Sequence, residues 1–247
     1  MAAILRDPAL QEAFDRDGYV AVPLLEPREV SELLTALAGL APADEWTPDG
    51  SGPAMNSYHC SFLDTGKAYK RAAFELLSKA FAEAIARHLA DFRPLSANFY
   101  VKPTGQGRIP VHQNWPVLDS LDATSVTMWC PLVDVDATNG TLHVVPGSHK
   151  LGNLKVRRYA QGQIEDQVDV STAVPCKANP GDVVMFTSYT VHGSKPNMTD
   201  QPRRSYINGF VRASSCDVGK WAFLEGKPVP VTSDHDYHKI RKARKRP

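Results

Sequence analysis

The sequence has few cysteines and no pattern among them. Its four cysteines, Cys60, Cys130, Cys176 and Cys216, lie far apart, and none has the CxxC spacing that is typical of zinc or redox sites. Scattered cysteines of this kind indicate free thiols in a reducing compartment. We therefore expect no disulfide framework and no zinc knuckle.

Long apolar runs and a strong net charge are also missing. No apolar stretch is long enough to span a bilayer, and the first residues, MAAILRDPALQEAFDRDG, carry charges where a secretory signal would be apolar. The formal net charge is +1, which favours neither nucleic acid nor a membrane surface as a partner. Only the tail at 239–247, KIRKARKRP, is strongly basic, and we expect it to be solvated. These absences predict a cytoplasmic protein.

The composition is that of an ordinary globular protein. With 43% hydrophobic and 22% charged residues in 247, the chain can bury a sizeable core, and all-β folds of this length usually form one domain. We predict a single domain at 1–247, in which a helical third at 1–94 braces a barrel at 95–213. We expect a first helix at Pro8–Asp15 that Gly18 ends, a second helix that begins at Pro27, and a third at about Lys67–Leu89. The last has an apolar stripe of Phe74, Leu77, Phe81, Ala84 and Ile85.

The pattern changes after Leu95, where short β-branched and aromatic runs alternate with clusters of Gly, Pro, Asn and Asp. These runs are NFYVK, SVTMWCPL, TLHVVP, DVVMFTS and SYINGFV. An earlier β-rich run lies at Tyr19–Leu25. Several short strands with such punctuation predict an antiparallel sandwich or barrel.

Two histidines and one polar neighbour are the first candidates for chemistry. If 111–115 is a strand, the side chains of His112 and Asn114 lie on one face and that of Gln113 on the other. His192 comes much later in the chain, after a strand-like run, and Arg203 begins another. Alone this is weak evidence, because the sequence has eight histidines and any one of them is more often a core or surface residue.

The order of several longer motifs adds a resemblance. FDRDGYVAVPLL, NFYVKP, HQNWP, WCPLVDVDATNGTLHVVPGSHK, GDVVMFTSYTVHGSKPN and PRRSY follow one another between about Phe14 and Val211. This order resembles the phytanoyl-CoA dioxygenase family of iron- and 2-oxoglutarate-dependent oxygenases. The resemblance implies a fold that is mainly β with flanking helices, a double-stranded β-helix of the cupin-like jelly-roll type.

The resemblance also implies a metal site. His112 and His192 would bind Fe(II), and a carboxylate two residues after the first histidine would normally complete the facial triad. The remaining positions on the metal would take 2-oxoglutarate and O2. Arg203 matches the residue that anchors the distal carboxylate, for which a permanently charged, bidentate guanidinium is suited. Arg204 is expected to face the other way.

Further positions match the cosubstrate pocket of the family or share a strand face with it. Lys102 and Ser194 correspond to positions that often contact the cosubstrate, and Asn98 lies on the same strand face as Lys102. Thr127 and Trp129 share a face of the next strand and are expected to line the pocket, although core packing explains Trp129 equally well.

Other histidines and two variable segments are assigned less specific roles. His143 and His149 lie around a Pro-Gly turn and are expected to serve turn architecture, while His235 and His238 are expected in solvated chain. The segments 46–62 and 153–174 are expected to form a lid over the pocket.

Asn114 is where the sequence departs from the family, which has Asp there. Asn has nearly the same shape and can offer its amide oxygen to a metal, but it carries no charge. Three interpretations follow: a native but weaker ligand, an inactivating change, or a sign of altered chemistry. Halogenases of this superfamily have a small residue at this position, which leaves room for chloride on the metal. Asn is larger than that, so halogenation is not favoured.

The activity implied is oxidative decarboxylation of 2-oxoglutarate to succinate and CO2, coupled to hydroxylation of a small organic substrate. Desaturation, cyclisation and epimerisation stay open as outcomes. The rival hypothesis is a non-catalytic binding module that has kept the fold and lost the metal. The sequence predicts neither the substrate nor the oligomeric state.

Overall fold

The structure is a computed structural model, and it describes only part of the chain. The described residues are 3–40, 59–61, 66–90, 92–105, 107–114, 125–152, 154, 164–212, 221–224 and 227–230. Of the two expected lid segments, 46–62 lies outside these ranges except for 59–61, and 153–174 lies outside them at 153 and 155–163. The basic tail, His235 and His238 also lie outside them.

The first helix, α1, spans Pro8–Asp17 and has a signal at each end. The Asp7 carboxylate accepts hydrogen bonds from the Ala9 and Leu10 amides, which satisfies two amides of the first turn. Gly18 ends the helix with φ 79°, a left-handed conformation that favours glycine. The predicted stop is therefore confirmed.

Two further helices cover one side of the molecule. Helix α2 spans Pro27–Ala38 and begins with a capping box between Glu26 and Glu29, while α3 spans Lys67–His88. None of the helices in the described ranges has the length and apolar character that crossing a membrane requires.

The apolar stripe predicted for α3 needs one correction. Leu77, Phe81 and Ile85 are buried, but Phe74 is 42% exposed. The buried stripe runs in steps of four residues and reaches Ala73, so Phe74 lies one residue, about 100°, away from it. The side chain of Ala84 lies outside the described part.

Six antiparallel strands form the main sheet. Their order is β1-β8-β5-β10-β3-β2, where β1 is Tyr19–Pro23, β2 is His59–Cys60, β3 is Phe92–Lys102, β5 is Ser125–Pro131, β8 is Asp182–Thr187 and β10 is Arg203–Arg212. Both edge strands, β1 and β2, come from the first third of the chain, which therefore contributes strands to the barrel as well as helices. Strand β3 also begins a few residues before the expected boundary.

A smaller sheet faces the main one. Its order is β4-β9-β6-β7, with β4 at Ile109–His112, β6 at Leu142–Val144, β7 at Val174–Pro175 and β9 at His192–Ser194. Short 3-10 helices lie at Ser148–Leu151 and Val170–Thr172, and a separate hairpin joins β11, Trp221–Leu224, to β12, Lys227–Pro230. Two antiparallel sheets flanked by helices confirm the predicted jelly-roll fold class.

Alternation along the strands divides the core into layers. Val126, Met128 and Cys130 of β5 pack under the helices, whereas Trp129 packs with residues of the small sheet. The same period of two puts Tyr206 of β10 on the helix side, where its ring stacks on Phe81 with centroids 3.9 Å apart. Side chains of the opposite parity point between the two sheets, and the candidate site lies there.

Candidate active site

The two predicted histidines meet in the small sheet. Strands β4 and β9 are antiparallel, and their register puts His112 directly opposite His192. The two ring centroids are 4.3 Å apart. The Phe186 ring of the main sheet packs against His192 with ring centroids 4.5 Å apart, so the pair lies between the sheets.

The backbone fixes which nitrogen each histidine offers. Nδ1 of His112 lies 2.8 Å from the Pro110 carbonyl oxygen, and Nδ1 of His192 lies 2.8 Å from that of Thr190. A neutral ring therefore carries its proton on Nδ1, which leaves the Nε2 lone pair available to a metal. Burial lowers the pKa of both rings, and the neighbouring His112 lowers that of His192 further. Both imidazoles are thus neutral at neutral pH, the state that a metal ligand requires.

Asn114 lies two residues beyond His112, just past the end of β4. Its Nδ2 donates a hydrogen bond of 2.7 Å to Thr127 Oγ1. Its side chain also interacts with the His112 ring in a way that favours the protonated imidazole, which raises the pKa of His112 and partly offsets the effect of burial. The amide oxygen of Asn114 is therefore on the side of the histidines.

Gln113, which lies between His112 and Asn114, anchors this part of the chain through its side chain. Its Nε2 donates to the carbonyl oxygens of Gly152 at 2.8 Å and Tyr189 at 2.6 Å, and its Oε1 accepts from the Leu154 amide at 2.9 Å. Three hydrogen bonds satisfy most of the capacity of this side chain. The sequence placed Gln113 on the opposite face but gave no signal of this anchoring role.

The donor atoms at this point suit a divalent metal. Two imidazole lone pairs and an amide oxygen face the same region. In each neutral ring the proton is on Nδ1 and points to a backbone carbonyl, so the Nε2 atoms can only accept. Within the described ranges, no three His, Cys, Asp or Glu side chains form a potential metal cluster. The set is thus two histidines with a neutral oxygen, and iron accepts imidazole and oxygen ligands of this kind.

Arg203 contributes a buried cation to the same space. It begins β10 and is 3% exposed, and its guanidinium carbon lies 5.7 Å from the centre of the Trp129 ring. Nη1 donates to Ser205 Oγ, while Nε is buried with no hydrogen-bond partner among the described residues. Burial lowers the pKa of Arg203 to about 9, so it is still charged at neutral pH.

Lys102 lies directly opposite Arg203 on the neighbouring strand, β3. The register pairs the two residues directly, and Lys102 is 1% exposed. Its Nζ donates to Ser194 Oγ at 2.5 Å and to the Lys195 carbonyl oxygen at 2.9 Å. Burial and the charge of Arg203 lower the pKa of Lys102 to about 6. Like charges directly opposite each other destabilise a sheet, so Lys102 gives up its proton readily here, and an anion between the two side chains would favour its charged form.

Close packing around Lys102 requires glycine at two positions. A Cβ atom at Gly107 would lie 2.7 Å from Lys102 Cγ, and one at Gly140 would lie 3.1 Å from Nζ. Both glycines have positive φ, at 86° and 78°. Any other residue at these two positions has a strained backbone, and its side chain crowds Lys102.

The other predicted pocket residues have distinct positions. Arg204 shares the outer face with Tyr206, as predicted, and is not in the site. Trp129 is buried in the core, and its ring also lies against the guanidinium of Arg203. Asn98 is half-buried and pairs in register with Ile207.

Two other histidines are outside the site, as expected. Nε2 of His149 lies 3.1 Å from the Asp15 carbonyl oxygen, against the end of α1, and Nδ1 of His143 lies 3.1 Å from the carbonyl oxygen of Thr141. Both serve local architecture. Ser205 is a site residue that the sequence reasoning missed, although its position two residues after Arg203 on a strand was the available signal.

Comparison with known proteins shows which family the chain resembles. The family model described as "Phytanoyl-CoA dioxygenase (PhyH)" matches residues 14–205. Phytanoyl-CoA dioxygenase 1 of Oryza sativa is 28% identical over 55% of the chain and 50% of its own length. Methylphosphonate hydroxylase of Gimesia maris is 27% identical over 83% of the chain and 80% of its own length. The match thus spans about half of the rice protein and most of the bacterial one.

A solved structure shares the fold. EvdO2 from Micromonospora carbonacea var. aurantiaca superimposes with a TM-score of 0.65 at 23% identity, over 94% of this chain and 96% of that one. The same protein complexed with 2-oxoglutarate gives a TM-score of 0.58 at 20% identity. The family model covers well over half of the sequence, and the chain belongs to the phytanoyl-CoA dioxygenase family.

Proposed function

We propose that the protein is an Fe(II)- and 2-oxoglutarate-dependent dioxygenase that hydroxylates a small organic substrate. One observation carries the proposal. A neutral metal-binding donor set and two buried basic side chains lie in the same space between the sheets. Iron and a dicarboxylate are the pair of ligands that such a space complements.

The metal would be held by His112, His192 and the amide oxygen of Asn114. Bound iron would supply activation of O2, which the protein side chains cannot perform by themselves. The overall reaction takes substrate, 2-oxoglutarate and O2 to hydroxylated product, succinate and CO2, with one oxygen atom of O2 entering the product and the other entering succinate. The protein then contributes binding, orientation and charge.

The cosubstrate would be held mainly by Arg203. A buried guanidinium whose Nε has no partner among the described residues has a donor available for a carboxylate, and such charge-assisted pairs are frequently bidentate. Lys102 and Ser194 are hydrogen-bonded to each other beside it and would support the charge of the bound dianion. Burial of Arg203 without an anion is costly, which favours occupancy of the site.

Hydroxylation is the outcome favoured among those that the chemistry allows. The bacterial relative that aligns over most of both chains is named a hydroxylase, which supports this choice. The rival, a binding module without metal, predicts that purified protein retains no iron. It also leaves the buried pair of basic side chains, Lys102 and Arg203, unexplained.

Formation of the complex can be seen directly. When Fe(II) and 2-oxoglutarate are added together without oxygen, we expect the visible charge-transfer band of a chelated 2-oxo acid. Neither addition alone should produce it, because the band requires both ligands at one centre. If no band forms at saturating concentrations of both, the assignment of the cosubstrate is wrong.

Binding of 2-oxoglutarate should also depend on pH. The pKa of Lys102 is about 6 in the empty site, so the amine is mostly neutral at pH 7.5. A bound dianion raises this pKa, and the complex then takes up a proton. The affinity should therefore fall as pH rises above about 6.

Proton uptake can be measured by calorimetry of the Co(II)-loaded protein at pH 7.5 in two buffers with different ionisation enthalpies. Arg203, Lys195 and His143 are the other charged or titratable groups that interact with Lys102. Lys102→Met should abolish the uptake, whereas His143→Gln should leave it in place. Equal heats in both buffers for the wild-type protein would contradict this prediction.

A further inference from the structure

The contact between Asn114 and Thr127 joins the two sheets at the candidate metal site. Asn114 follows β4 of the small sheet, and Thr127 lies in β5 of the main sheet. Thr127 is buried, and its neighbours across the sheet are Phe186 and Gly209. Its Oγ1 accepts from Asn114 Nδ2 at 2.7 Å, while the other end of the same amide interacts with the His112 ring.

This contact matters because the two ends of an amide are not equivalent. The oxygen of Asn can bind a metal, whereas its NH2 group carries two protons and cannot. A rotation of 180° about the last side-chain bond would exchange them and present two protons to the metal. A carboxylate has two oxygens and does not face this problem. A chain with Asn in the ligand position therefore needs an acceptor at the NH2 end.

We propose that Thr127 is a positioning residue that orients Asn114 for metal binding. Its hydroxyl accepts the Asn114 NH2 group and so holds the amide oxygen towards the metal bound by His112 and His192. This inference rests on the proposed function, because it presumes a metal at that point. It gives Thr127 a role through Asn114 rather than a direct contact with the cosubstrate.

The test compares two substitutions of Thr127, one that keeps its shape and one that keeps its hydroxyl. Thr127→Val keeps the β-branched shape that suits a strand but removes the acceptor, whereas Thr127→Ser keeps the hydroxyl. The readout is the affinity of the metal-free protein for Co(II), a stand-in for Fe(II), titrated without 2-oxoglutarate. We expect Thr127→Val to weaken Co(II) binding about tenfold or more, because the NH2 group then has no acceptor that keeps the amide oxygen turned towards the metal. Thr127→Ser should retain most of the wild-type affinity.

A second background shows whether Thr127 acts through Asn114. In Asn114→Ala there is no amide to orient, so adding Thr127→Val should leave Co(II) affinity unchanged. Thr127→Ala takes the place of the valine variant in the same cycle if the valine variant does not fold. The melting temperature of each variant, measured without metal, checks that the fold is intact.

The outcomes separate the possible explanations. An equal loss of Co(II) affinity in the wild-type and Asn114→Ala backgrounds would overturn the proposal, because Thr127 would then act without the amide. Intact Co(II) binding with weakened 2-oxoglutarate binding would overturn it in favour of a direct cosubstrate contact. A wild-type protein that binds no Co(II) would defeat the proposed function itself, which is a different result from either.

Discussion

Arg203→Met is expected to weaken the binding of 2-oxoglutarate strongly and to make the ligand-free protein more stable. The substitution removes the guanidinium and keeps an unbranched side chain of similar length against Trp129. Loss of one partner from a buried, charge-assisted contact costs about 2–5 kcal/mol. The dissociation constant should therefore rise by roughly 30-fold to several thousand-fold.

The stability change has the opposite sign for a physical reason. In the ligand-free state Arg203 is buried, its Nε has no partner among the described residues, and burial lowers its pKa. Replacing a poorly compensated buried charge with an apolar side chain is often stabilising, by roughly 1–4 kcal/mol. We expect the melting temperature without ligand to rise by about 2 °C or more.

Arg204→Met is the matched control. Arg204 is the next residue on the same strand, but its side chain lies on the outer face with Tyr206. When the Co(II)-loaded variants are titrated with 2-oxoglutarate by calorimetry, Arg204→Met should bind it with nearly the wild-type affinity. Equal effects of the two substitutions, or the reverse order, would mean that Arg203 is not the anchor.

Asn114→Asp is expected to tighten iron binding by about tenfold or more, which corresponds to about 1.4 kcal/mol. The change alters the volume of the side chain very little. It adds a negative charge next to two neutral imidazoles. A charged oxygen ligand interacts more strongly with a divalent cation than a neutral amide does.

Turnover is the second measurement on this variant. Succinate formed from 2-oxoglutarate in the presence of Fe(II) and O2 should increase, because more of the enzyme carries metal. Tighter iron binding with less succinate would identify Asn114 as an adaptation to different chemistry. Iron affinity equal to that of the wild type would mean that residue 114 is not a ligand.

Asn98→Asp controls for charge without coordination. It adds the same charge on the inner side of β3, but residue 98 pairs with Ile207 in the main sheet, whereas His112 lies in the small sheet. Its effect on iron affinity should be smaller than that of Asn114→Asp. Similar effects would indicate that any negative charge between the sheets suffices, and that position 114 has no special role.

Much of the fold could be predicted from local features of the sequence. Pro8, Pro27 and Gly18 marked helix ends correctly because proline and glycine act through their own backbone angles. The stripe on α3 was predicted one residue off at Phe74, since apolar spacing allows several stripes and only packing selects one. Which strands form the sheet edges was not predictable, because pairing between distant strands leaves little trace in a single sequence.

The sequence by itself determined the chemical groups of the candidate site and their order along the chain. Motif order indicated the family and identified His112, His192 and Arg203, and strand alternation put Arg203 and Arg204 on opposite faces. Alternation is a local property of any strand, so it needs no knowledge of the partner strands.

Only the tertiary structure decided how these groups act on one another. The register between β3 and β10 sets Lys102 against Arg203, and the approach of the two sheets brings Thr127 to Asn114. Burial then lowers the pKa of Lys102 to about 6 and that of Arg203 to about 9. Pairing, orientation and desolvation all depend on segments that are far apart in the chain, and these properties turn a list of polar residues into the site that we propose for a metal and a dianion.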